Sequence, residues 1–251
     1  MGSAPGSSDQ TLIKAEPGTL IWAEPLPEGG RAFFKMYRRR NFLDPLRHLF
    51  VPYRVEREFK LLTRLHECGV PCTEPISWTH GRNRRHGRHE ILVTREVPSV
   101  VPLKDHLRGN PDRAPDLAPL FALARRMHEC GVAHGAFYAA NILLSVPVQD
   151  PARFHIIDFA HGCRFFGSIV GTRPAECDLL DMLRSVERVM PIMDRARWVE
   201  GYGLGADGTA RLLAKLAGHR LEWPWRHIRR AETDGREFLA RIARPVSDGR
   251  A

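Results

Sequence analysis

The stretch HGAFYAANILLSVPVQDPARFHIID, His134 to Asp158, constrains this chain more than any other. It follows a helix-like run, LARRMHECGV, opens on a short polar turn, passes through the apolar NILL, crosses a Pro/Gln/Asp loop and re-enters an apolar run, FHIID. Short apolar runs bounded by turn residues read as strands, so the stretch is two short strands joined by a loop. Asn141 stands at one end of the pair and Asp158 at the other. An amide and a carboxylate so placed can share one Mg2+, a cation that takes few protein ligands and fills its shell from phosphate and water. ATP-dependent phosphoryl transfer needs that arrangement, because there the protein positions metal and nucleophile and adds little covalent chemistry.

The order of residues resembles a known pattern. His134, Asn141 and the Ile-Asp-Phe at 157–159 resemble the catalytic loop H-x-D-x-x-x-x-N and the D-F-G element of the protein-kinase-like fold. The run HGAFYAANILL followed by FHIIDFA looks specifically like the bacterial lipopolysaccharide core kinases, the Kdo/heptose kinase family. The resemblance implies an α+β, bilobal protein-kinase-like fold with a small β-rich N-lobe and a mainly helical C-lobe. Residues 1–18 would be a flexible N-terminus, 19–98 the N-lobe and 99–251 the C-lobe. It also implies ATP and Mg2+ as cofactors, with Asn141 and Asp158 on the metal. One position departs: Ala136 stands where the family carries its catalytic aspartate. His134 takes a structural role in this reading, and Phe159-Ala160 replaces the usual F-G.

Upstream, TLIWAEPL and RAFFKMY flank PEGG and read as a hairpin with a glycine turn; by resemblance that turn would roof the triphosphate, and a plain hairpin turn explains PEGG at least as well. By resemblance Lys35 is the phosphate lysine, and the helix RVEREFKLLTRLHECGV supplies the carboxylate that orients it, Glu58 with Glu56 in reserve. That helix carries an apolar stripe at Val55, Phe59, Leu62 and Leu65 and stops at Gly69 and Pro71. The strand EILVTREVP resembles the segment joining the lobes, whose backbone around Arg95, Glu96 and Val97 would hydrogen-bond adenine.

A net charge of +9 calls for an anionic partner: nucleotide phosphates, nucleic acid or an acidic membrane. No nucleic-acid module is recognisable, which ranks that partner last. The basic amphipathic run YRRRNFLDPLRHLFVPYR and the loop holding Arg82, Arg84, Arg85 and Arg88 suit either plain solvation or an anionic surface and acceptor. Five cysteines, an odd number without a paired framework, fit a reducing compartment. Cys68 and Cys72 near His66 and His80 invite zinc, but with no CxxC they read as buried structural thiols. No apolar run is long enough for a membrane span, and the N-terminus has no secretion-signal pattern. The expected location is cytoplasmic, peripheral on the cytoplasmic face of the inner membrane, with a lipopolysaccharide core glycolipid or other anionic acceptor as partner.

CDLLDMLRSVERVM reads as a helix starting at Asp178, an aspartate that either caps the catalytic-loop backbone or is a simple N-cap. Only 20 residues separate it from Asp158. That leaves little room for the regulated segment a peptide-directed kinase needs. The tail from Leu212, with two Trp around Pro224 and Arg226, Arg229 and Arg230 beyond, reads as helix. Two functions stand side by side: an ATP-dependent kinase of a core sugar, impaired by Ala136, and a pseudokinase that binds nucleotide or scaffolds envelope biogenesis.

Overall fold

The computed structural model describes residues 10–16, 18–38, 54–83, 87–110, 114–148, 151–189 and 194–216. Most of the basic amphipathic run, the Arg84–Arg85 loop tip and the Trp-containing tail lie outside them. The chain divides into two compact units, one of residues 1–63 with 73–98 and one of 64–72 with 99–251.

Among the described residues, the first unit is a five-stranded antiparallel sheet with one helix. Strands β1 (Thr11–Glu16), β2 (Thr19–Pro25), β3 (Arg31–Arg38), β4 (Pro75–Asn83) and β5 (Gly87–Arg95) lie in the order β1-β2-β3-β5-β4. Alternation puts Leu20, Trp22, Ala32, Met36, Ile91 and Val93 into one buried cluster. There the Trp22 and Phe34 rings stack at 5.1 Å. β1 corrects the expectation of a flexible segment through residue 18, since the sheet begins eight residues before Thr19. Helix α1 (Arg54–Glu67) buries Val55, Glu58, Leu61, Leu62 and Leu65 on one face. Phe59, expected in that stripe, is only half-buried.

The second unit holds β6 (Val100–Pro102), α2 (Leu103–Gly109), α3 (Ala118–Glu129), β7 (Val132–Ala133), β8 (Ile142–Ser145), β9 (Phe154–Ile156) and β10 (Cys163–Arg164). It continues with α4 (Arg173–Glu187), α5 (Arg195–Glu200) and α6 (Gly205–Leu216). Two small antiparallel sheets, β6-β8-β9 and β10-β7, carry the loops of interest. Helix α4 is buried on nearly every side from Ala175 to Leu183, which makes it the centre of this unit.

Gly131 shows how closely the chain is packed where α3 turns into β7. Its φ is +74°, and a Cβ there would meet the Gly167 carbonyl oxygen at 2.6 Å and that of Phe165 at 2.8 Å. Only glycine fits such a position. Just before it, Cys130 is disulfide-bonded to Cys68. This corrects the reading of an unpaired set and removes that argument for a reducing compartment: one bonded pair accompanies three buried thiols, Cys72, Cys163 and Cys177. It also disposes of the zinc alternative, because Cys68 is no longer a thiolate and burial pushes the Cys72 thiol up to about 12.

Candidate active site

In the first unit Lys35 lies in the middle of β3, opposite Ile21 and Leu92. Its ammonium meets Glu58 Oε1 at 3.3 Å, the two side chains being 16% and 2% exposed. A carboxylate this deeply buried demands a compensating cation. Glu58 reaches one because it shares the buried face of α1, whereas Glu56 lies off that face and pairs with Lys60 at 2.6 Å. The helix is itself anchored. Buried Glu90 of β5 accepts the Val55 N–H at 3.1 Å, a carboxylate on the positive end of the helix dipole.

At the other end of β3, Arg95 N–H donates to the Glu74 carbonyl at 2.8 Å and Glu96 N–H to that of Arg31 at 2.9 Å. A purine at this segment would therefore use the Glu96 carbonyl and the Val97 backbone. The PEGG turn lies beside this end: Arg95 pairs with Glu28 at 3.2 Å. It cannot also roof phosphates that extend toward Lys35, which corrects the expectation from sequence. The turn at the opposite end is that of β1 and β2, where Gly18 accepts the Arg38 N–H at 2.8 Å.

In the second unit everything converges on Asp178. The carboxylate is fully buried, with Oδ2 accepting the His134 N–H at 2.7 Å and Oδ1 the Gly135 N–H at 2.9 Å. Oδ2 also lies 3.2 Å from His128 Nε2, and His128 Nδ1 lies 2.8 Å from the Tyr202 hydroxyl. A carboxylate only accepts, so Nε2 donates to it, while Nδ1 faces the Tyr202 hydroxyl. Since α4 begins at Arg173 after Thr172, Asp178 is interior and not an N-cap. Of its two open roles, the loop clamp is the one realised.

The clamped loop is also braced by His134. Its Nδ1 accepts the Ala136 N–H at 3.2 Å and its Nε2 donates to the Ile157 carbonyl at 3.0 Å. Desolvation by burial lowers its pKa, so the ring is neutral. Asn141 ends the 3-10 turn Ala139–Asn141. Its Nδ2 donates to the Ala136 carbonyl at 2.9 Å, and its own carbonyl accepts the Ile157 N–H at 3.0 Å. With the amide donor so committed, Oδ1 is the atom left for a cation. Register pairs Ile142 with Ile156, so Asn141 and Asp158 emerge from the same end of the β8/β9 ladder. Asp158 has φ +63°, a left-handed conformation that Asp adopts more readily than most residues other than glycine.

Among the described residues no group of three or more His, Cys, Asp or Glu side chains forms a metal cage. One amide and one carboxylate suit Mg2+ completed by phosphate oxygens and water, and not a structural zinc. Glu90, His128 and Tyr202 were not singled out from sequence. The available signals were a lone acid inside the apolar EILVT run and a histidine on the apolar face of α3.

The sequence profile of the lipopolysaccharide kinase (Kdo/WaaP) family matches residues 28–202, well over half of the chain. The chain belongs to this family. Against the curated 3-deoxy-D-manno-octulosonic acid kinase of Actinobacillus succinogenes, this lipopolysaccharide kinase family member is 26% identical over 102 residues. That match spans 41% of the chain and 42% of the relative. It resembles WaaP in complex with acyl carrier protein with a TM-score of 0.61 at 22% identity, covering 83% of this chain and 86% of that one. Amicoumacin kinase hAmiN in complex with AMP-PNP, Ca2+ and Ami follows with a TM-score of 0.55 at 11% identity, covering 86% and 75%. The Rio2 kinase–ADP/Mg2+–phosphoaspartate complex from Chaetomium thermophilum gives 0.50 at 18%, covering 90% and 72%. These likenesses show a protein-kinase-like α+β fold.

Proposed function

We propose that this chain uses ATP to phosphorylate a sugar of the lipopolysaccharide core, Kdo or heptose. The observation that carries the reading is the second-unit loop: Asp178 and His134 fix the backbone from which Asn141 and Asp158 emerge together. In this reading Asn141 Oδ1 and the Asp158 carboxylate hold Mg2+, which would neutralise charge on the transferred phosphoryl group. Lys35, held by Glu58, meets the phosphates, and the backbone at Glu96 and Val97 receives adenine. The acceptor stands near Ala136.

The acceptor of such a kinase is a glycolipid, and the net charge of +9 favours work at the anionic cytoplasmic face of the inner membrane. No helix among the described residues is long and apolar enough to cross a membrane. Ala136 favours a second reading, a pseudokinase that keeps nucleotide binding and scaffolds envelope biogenesis.

Thermal unfolding with and without MgATP tests the shared part of both readings. The wild-type chain is expected to gain about 2.7 kcal/mol at a ligand concentration 100 times Kd, and Asp158→Asn to lose the metal-dependent part. An equal gain in the variant would remove Asp158 from the site. ADP release against a panel of core glycolipids then separates kinase from scaffold.

A further inference from the structure

Among the described residues no large apolar side chain stands so far into solvent as Phe166, which is 99% exposed where Leu12, next in order, is 59%. The exposure is not that of a loose loop. On either side of it Phe165 and Ile169 are buried in a cluster with Ala133, Cys163, Ala175 and Cys177. Phe165 N–H donates to the Gly131 carbonyl at 2.7 Å and Ile169 N–H to that of His128 at 2.9 Å. Val170 N–H donates to Ser168 Oγ at 3.3 Å, and the Thr172 hydroxyl donates to the Ile169 carbonyl at 2.6 Å. The ring therefore stands on a tip whose backbone is already fixed, so a partner that buries it loses little to ordering.

The surroundings of the ring select the kind of partner. Cys163 and Phe165 are buried while Arg164 and Phe166 are exposed, so the last two leave the extended chain on one side. Residues 164–173, RFFGSIVGTR, carry two arginines and no acid. The other exposed positions there are Gly167, Ser168, Gly171 and Arg173, so little apolar area surrounds the ring. A stable protein partner would need roughly 800 Å² from each side and a socket for the ring. A bilayer needs neither, because acyl chains close around a projecting apolar group while headgroup phosphates meet the guanidinium beside it. We propose that this tip is a membrane-contact element, Phe166 entering the acyl boundary of an anionic lipid surface with Arg164 on the phosphates above it. It rests on the membrane-surface part of the reading above and not on phosphoryl transfer. Antiparallel pairing sets Cys163 opposite Ala133 and Arg164 opposite Val132, so the chain beyond Arg164 leads away from His134 and the loop it braces.

The test is sedimentation of the full chain with vesicles of phosphatidylglycerol and phosphatidylethanolamine, against vesicles of phosphatidylcholine alone. The wild-type chain is expected to bind the anionic vesicles, and Phe166→Ala to bind them about 10-fold more weakly. Arg164→Gln should weaken binding about 5-fold at low salt and less at high salt. Urea unfolding and stabilisation by MgATP should be the same for Phe166→Ala and wild type, since an exposed ring carries no packing. A gain of signal checks the loss: Phe166→Trp adds an indole to the five present in the chain, and brominated acyl chains should quench the added emission.

Equal vesicle binding by wild type and Phe166→Ala overturns the inference, as does added emission that brominated lipid leaves untouched. The chain would then meet a membrane through another surface. Binding to phosphatidylcholine as tight as to the anionic vesicles also overturns it. Self-association without lipid that Phe166→Ala abolishes assigns the tip to a second copy of the chain, again against the inference. Failure of the wild-type chain to bind any vesicle sinks both the inference and the location at the cytoplasmic face, while stabilisation by MgATP tests the kinase reading on its own.

Discussion

Asp178 gathers two backbone N–H groups and an imidazole onto one buried carboxylate, and each donor would be stranded without it. Replacing it with asparagine turns one of its two acceptor atoms into a donor. Asp178→Asn is expected to lower unfolding free energy by about 2–4 kcal/mol in urea titrations and to weaken the response to MgATP. His134 gives a pH signature. Burial holds its pKa below the ordinary 6.5, so the unfolded chain binds the proton more readily. Its contribution to stability is therefore complete above pH 6.5 and declines as pH falls below that value toward the folded pKa. The unfolding temperature should drop between pH 7.5 and 5.5, less steeply in His134→Gln. His155, depressed in the same direction by burial, accounts for part of the remaining slope. The Lys35–Glu58 ion pair and the common ladder end of Asn141 and Asp158 follow short motifs of fixed order that the sequence displays. Glu90, His128 and Tyr202 were not legible in that way, because their partners lie 35, 50 and 74 residues away and chain order says nothing about such pairs.

At the scale of the element, α1 depends on the sheet beside it. Glu90 accepts the Val55 N–H at the helix start and sets the turn from which Glu58 projects one turn later. Glu90→Ala should cost about 1–2 kcal/mol, combining loss of a cap with a buried N–H left without its acceptor. Denaturant unfolding measures this, and MgATP stabilisation should weaken with it because Lys35 loses its rigid partner. β1 was missed because an edge strand exposed at all six residues, TLIKAE, lacks the in–out alternation that marks a strand. The start of α4 was placed five residues late. Pro174 lies in its first turn, where the missing N–H of proline is harmless.

For the molecule as a whole, the Cys68–Cys130 bond closes a 62-residue span and removes conformations from the unfolded chain. By loop closure that stabilises the fold by about 4 kcal/mol. Thiol titration of the unfolded, unreduced chain should count three reactive groups, and Cys130→Ser should unfold at lower denaturant. Sequence could not reveal this pair because an odd count with irregular spacing fixes no connectivity. The fold class was legible because the order of elements from Lys35 to Asp178 admits few alternatives. The chain between Asp158 and α4 is equally bound: Phe165 N–H donates to Gly131, Ile169 N–H to His128 and Thr172 N–H to Ile169. A rail bolted at both ends has one resting position. In the kinase reading, a time course begun by mixing is therefore expected to run at full speed from its first seconds, without the sluggish onset a hinged gate imposes.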